Sequence, residues 1–142
     1  MEERIRANAE LVVQQTRSLS GIDFGYTEES VKWLEGYIER LRNSGEFENA
    51  EAKTKLISVF GSFLGECIVR CYGGAWKLHE PGVWCVAFDE NNKAFPFAKV
   101  AKQIDNGLED GIASFFSMIP LVFKDLPRAT TSTPKQPWWK VW

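Results

Sequence analysis

Hydrophobic positions follow a helical period through the first half of the chain. Residues 2–19 set Ile5, Ala9, Val12 and Leu19 among Glu, Arg and Gln, which predicts an amphipathic helix with those four positions turned inward. Ser20-Gly21 should stop it. Thr27 followed by Glu28 and Glu29 has the form of an N-cap with acids in the first turn, where the helix dipole favours them. The second helix then runs to about Arg42, with Val31, Leu34, Ile38 and Leu41 inward and Asn43-Ser44-Gly45 at its end.

Asn49 can cap a third helix, Ala50 to Tyr72, in which the pattern changes. Leu56, Ile57, Val59, Phe60, Phe63, Leu64, Cys67, Ile68, Val69, Cys71 and Tyr72 cover most of its circumference, so it should lie at the centre, covered on several sides. The polar remainder is Ser58, Ser62, Glu66 and Arg70. Residues four apart are neighbours on a helix, so these form one stripe. Gly61 and Gly65 form a second row, where another element can approach closely.

After Gly73-Gly74 the period becomes two. Residues 75–80 and 83–89 read as a hairpin across Pro81-Gly82, and 89–93 turn into a third strand, 94–97. Pro96 should end that strand or mark an edge. A short helix, Ala98 to Asp105, is closed by Asn106-Gly107. A last helix begins near Glu109 and Asp110, carries Ile112, Phe115, Phe116 and Ile119, and should kink or end at Pro120. The expected fold class is α+β: helices around a central buried helix (about 50–72), a three-stranded antiparallel sheet (about 75–97) and two C-terminal helices that cover the sheet. Residues 1–126 form one domain and 127–142 an extended Trp-rich tail.

Composition narrows the chemistry. With 142 residues, 44% hydrophobic and 25% charged, the chain can bury a core and is not disordered overall. A net charge of −2 offers no general electrostatic case for nucleic acid. No window approaches ~18 apolar residues, so no membrane span is expected. The first residues, MEERIRANAE, mix charges early with no apolar run behind them, so a signal peptide is not expected. Three cysteines, two of them on one helix, argue against a disulfide framework and for a reducing, cytoplasmic location.

Catalytic sets are hard to assemble. His79 is the only histidine, so any Ser or Cys triad must route through it. There is no G-x-S-x-G elbow and no phosphate-binding P-loop. The run 89–93 superficially suggests a calcium loop, but Ala94 stands where glycine is needed and Val100 where the loop needs Glu. Cys67, Cys71, His79 and Cys85 could make a Cys₃His zinc site, yet they lack the short C-x₂-C knuckle, and cysteine among apolar neighbours is commonly a small buried hydrophobe. No cofactor is expected.

Glu66 and Arg70 carry several readings. Glu66 can be an acid or ligand anchor raised by burial, an i,i+4 ion pair with Arg70, or an acceptor for the element packed over Gly61 and Gly65, fixing its register. Trp76 and Trp84 should help fill the helix–sheet interface. Trp138, Trp139 and Trp142 form a candidate interaction surface, because Trp buries large area and anchors interfaces. It can face a protein partner, a second copy or its own domain.

The succession GSFLGE at 61–66, YGGAW at 72–76, VWCVAF at 83–88, AFPF at 94–97, KVAKQIDNG at 99–107 and EDGIASFF at 109–116 resembles a group of bacterial proteins without an established activity. The resemblance covers about half the chain. It implies the same architecture and draws attention to Glu66, Gly74, Trp76 and Pro96. A broader likeness, in size and class only, is to small α+β bacterial immunity and toxin-neutralising proteins. Together these observations imply a non-enzymatic intracellular binding or regulatory module, a homodimer or a protein-interaction domain. The alternative is a small-ligand or metal site near Glu66, His79 and the cysteines.

Overall fold

The computed structural model describes residues 1–123; the Trp-rich segment, with Trp138, Trp139 and Trp142, lies outside the described residues. The fold is α+β. Five α-helices, α1 (Glu2–Ser20), α2 (Glu28–Ser44), α3 (Ala50–Tyr72), α4 (Pro96–Asn106) and α5 (Ile112–Val122), accompany three strands, β1 (Ala75–Glu80), β2 (Val83–Ala87) and β3 (Lys93–Ala94). Short 3-10 turns, Glu46–Glu48 and Gly107–Asp110, precede α3 and α5.

Helix α3 is the axis of the molecule. Every residue from Phe60 to Ile68 is buried, because α1 runs along one side of it, α4 along another, and α2 and the hairpin complete the cover. Capping follows the sequence. Thr27 Oγ1 accepts from the Ser30 amide at 3.1 Å, and Asn49 Oδ1 accepts from the Ala52 amide at 2.9 Å, each satisfying a donor the first helical turn leaves free. Gly73 and Gly74 have φ of 89° and 90°, in the left-handed region that glycine alone enters without strain. This lets the chain leave α3 and reverse at once into β1.

The sheet is an antiparallel meander in the order β1-β2-β3, with Trp76 opposite Val86, Leu78 opposite Trp84 and Val86 opposite Ala94. Only Trp76 of β1 is buried, whereas β2, in the middle, buries both Cys85 and Val86.

Three boundaries differ from expectation. The third strand is two residues long instead of four, because Pro96 opens α4. Proline lacks the amide that a strand needs and that a first helical turn does not use. Glu109 and Asp110 belong to the 3-10 turn, and α5 begins at Ile112 and continues through Pro120 to Val122. Helix α5 packs chiefly on α2 instead of on the sheet, touching the sheet side through Phe123 against Phe88 at 5.3 Å. Leu19 was expected inward and is 86% exposed: the apolar face of α1 continues past Val13, but no described residue covers Leu19 in its last turn.

Candidate functional site

The polar stripe of α3 divides into two halves with different surroundings. In the half toward the C-terminus, Glu66 is only 4% exposed. The Trp76 indole Nε1–H donates to its Oε2 at 2.9 Å, and Arg70 Nε donates to its Oε1 at 3.1 Å. Arg6 of α1 stands 3.9 Å from Oε2. The indole reaches this position because it lies on Gly65, where a Cβ would collide with the ring. The glycine makes the space, the tryptophan fills it, and the carboxylate one residue on receives the ring's polar edge.

Arg70 continues the network outward. Its guanidinium sits 3.8 Å from the centroid of the Tyr26 ring, an arrangement contributing ~0.5–1 kcal/mol at exposed sites. Tyr26 in turn donates its hydroxyl to Glu10 Oε1 at 2.9 Å. The Glu10 carboxyl titrates below its ordinary range, first because Gln14 donates to it and then because Tyr26 does. Burial pushes the Tyr26 phenol up, and the bond to Glu10 adds to this.

The other half of the stripe opens onto a groove. Ser58, exposed, and Ser62, buried, line a cavity of about 530 Å³ between α1, α3, the hairpin turn and α4. Ser62 Oγ donates back to the Ser58 carbonyl at 2.8 Å, and Asn8 approaches Ser58 Oγ at 3.5 Å. Trp84, Phe95 and Phe97 supply aromatic walls. Phe97 separates the two halves: it lies over Gly61 and meets Trp76 at 5.8 Å between ring centroids. Trp84 is thus half-buried at the groove, and Trp76 alone of the two expected indoles is buried between helix and sheet.

The cysteines and the histidine are dispersed. Cys67 and Cys85 are buried and Cys71 is exposed, all as free thiols, and burial pushes each thiol up. His79 is exposed and packs edge-on against Phe95 at 5.1 Å. Among the described residues no three His, Cys, Asp or Glu side chains converge as metal ligands would.

A second polar junction escaped sequence reasoning. Gln103 is fully buried. It donates to the Glu35 carbonyl at 3.1 Å and to Glu39 Oε2 at 2.9 Å, and accepts from the Ile112 amide at 3.0 Å. Glu35 accepts from the Ala113 amide at 3.1 Å. Helix α5 is therefore capped by side chains of α4 and α2 instead of by a residue of its own. No local signal marks these positions, since the Gln and Glu lie 9 to 78 residues from the amides they serve. Arg4 and the paired walls of the groove also went unread.

A third feature is a groove of about 270 Å³ where α1, α2 and α3 meet. Leu11, Leu19, Trp33, Tyr37 and Phe60 line it, and Trp33 and Tyr37 stack at 5.2 Å. No helix among the described residues is long and apolar enough to cross a membrane. Comparison with family models, with curated proteins and with solved structures finds no match to this chain, so its function rests on the geometry of these two grooves and the network between them.

Proposed function

We propose that this protein is a non-enzymatic binding module that associates through the α1–α2–α3 groove, with a second copy of the chain as occupant. The observation that carries the reading is Leu19, 86% exposed on the rim of an apolar groove. A projecting side chain beside a hole of matching chemistry is the self-complementary arrangement a two-fold interface uses, each copy placing its knob in the other's groove. Leu11, 45% exposed, extends the same strip one helical face along. Trp33 and Tyr37, stacked on the opposite wall, are the residue types that anchor interfaces.

Glu66 supports the non-catalytic part of this reading. Both of its oxygens accept bonds from within the fold, so it acts as the acceptor that holds the hairpin on α3. Sedimentation equilibrium across micromolar concentrations tests the proposal. The wild type is expected to shift from monomer to dimer as concentration rises, and Leu19→Lys to remain monomeric, with the wild-type melting temperature at concentrations where the wild type is itself monomeric. Lysine in a last helical turn is compatible with the helix dipole. A wild type that stays monomeric throughout, or a Leu19→Lys variant that dimerises equally well, overturns it.

A further inference from the structure

The α1–α3–hairpin–α4 groove is a separate site, and we infer that it binds a small organic monocarboxylate with a flat apolar body. Its volume, about 530 Å³, falls within the range of roughly 300–1,000 Å³ typical of pockets that enclose small molecules. Three aromatic rings from different parts of the chain wall it: Trp84 from β2, Phe95 from the link after β3, and Phe97 from α4. Convergence of aromatic walls on a few hydroxyls is the composition such pockets share. It favours a planar apolar body, which can slide between rings at little conformational cost.

The charge of the ligand follows from Arg4. Among the described residues lining the groove, Arg4 has the one charged side chain, and Met1, with its terminal ammonium, lines it too. Every other arginine among the described residues has a partner. Arg6 pairs with Glu2, Arg17 donates to the Phe24 carbonyl, Arg40 lies over Tyr37, Arg42 meets Glu39, and Arg70 meets Glu66. The Arg4 guanidinium has no ion pair, side-chain hydrogen bond or ring contact within the described residues. A guanidinium fork matches a carboxylate in a two-point arrangement. Where α1 meets α3, Ser58 Oγ and the Asn8 amide, joined only by a 3.5 Å contact, retain capacity for a polar substituent on the ligand.

The site shares no lining residue with the α1–α2–α3 groove, so it stands or falls independently of self-association. Isothermal titration of the full chain with naphthaleneacetate, and with its primary amide as a neutral match, tests it. The carboxylate is expected to bind saturably at millimolar concentration or below, and the amide about tenfold more weakly, as loss of a charge-assisted bond implies. Arg4→Gln, a change at an exposed position, should bring the carboxylate down to the amide's affinity without shifting the melting temperature. Ser58→Phe, which puts a ring into the groove, should remove both. Equal binding of acid and amide, carboxylate affinity unchanged in Arg4→Gln, binding retained in Ser58→Phe, or no saturable binding of the carboxylate overturns the inference.

Discussion

One stripe of α3 meets two environments. At Glu66 both carboxylate oxygens accept bonds, from Arg70 and Trp76, and the neighbouring glycine is covered by an indole. At Ser58 and Ser62, two turns earlier, the same face looks into an open groove walled by aromatic rings. The difference lies in what the hairpin brings across. β1 emerges from Gly73-Gly74 and immediately lays Trp76 over Gly65, whereas the far end of the hairpin, at Gly82 and Val83, stands at the groove's edge without closing it. The covered half holds the fold together, and the open half is free for a ligand.

The largest effect should come from breaking the covered half at its tightest contact. Gly65→Ala puts a methyl into the Trp76 ring and within 3.1 Å of Pro96 Cγ. The ring cannot retreat without breaking its bond to Glu66. Overpacking of this kind costs about 1–3 kcal/mol, and here the upper end is expected, against a helix-propensity gain of roughly 1 kcal/mol for alanine over glycine. Gly61→Ala meets the Phe97 ring, which is half-buried and borders open space, so the ring can swing into the groove. Its net effect should lie within about 1 kcal/mol of zero. Urea denaturation of the two variants measures the contrast, and equal losses would show that the two halves do not differ in rigidity.

Next comes the carboxylate. Glu66→Ala leaves the buried Trp76 N–H without its acceptor, a loss of about 1–3 kcal/mol. Glu66→Gln keeps an acceptor for the indole and surrenders the pairing with the half-exposed side chains of Arg70 and Arg6, for which up to about 1 kcal/mol is expected. The ordering Ala worse than Gln, in chemical denaturation and in exchange of the Trp76 indole proton, separates a register-fixing acceptor from a simple ion pair. Equal losses would assign the effect to the pairing with Arg70 and Arg6 instead.

The outer end of the network adds a smaller, pH-dependent share. The Glu10 carboxyl is depressed below 4.5 in the folded state by the bonds from Gln14 and Tyr26. A depressed acid stabilises the fold above its unfolded value and loses that contribution as pH falls through its folded value. Glu10→Gln should therefore lower the melting temperature slightly at neutral pH. The gap to wild type should narrow below about pH 4.5, where the carboxylate becomes protonated in the unfolded chain first. A gap that stays constant through the acid range would mean that Glu10 contributes by packing alone.

The covered half could be read from the chain and the open half could not, for a physical reason. Helical period, caps and the glycine row are local signals, so the central position of α3, Thr27, Asn49 and the close approach at Gly61 and Gly65 all follow from neighbours within a few residues. Glu66 fell between alternatives because its partner, Trp76, lies across a turn, and only the β1 trajectory decides which one is met. Pro96 was misread because proline ends a strand and begins a helix with equal ease, and the length of the strand before it has no local mark. The groove needed four elements placed at once. Leu19 kept the right period and the wrong environment, since period tells which face a residue shares and not whether anything lies opposite.

The smallest stability effects belong to the open half, and they are the sharpest check on the division. Ser62 is buried, yet its hydroxyl donates only to the carbonyl one turn back in its own helix, a bond that competes with the helix instead of tying it to another element. Ser62→Ala removes that bond and improves helix propensity, so stability should change by no more than about 0.5 kcal/mol. Arg4→Gln removes a charge with no partner among the described residues and should change stability by less still. If either substitution costs as much as Glu66→Ala in the same denaturation series, the groove is part of the scaffold and not a space the scaffold leaves open. If both are silent while Gly65→Ala is severe, the stripe has one half that builds the molecule and another whose side chains are free to vary with whatever the groove holds.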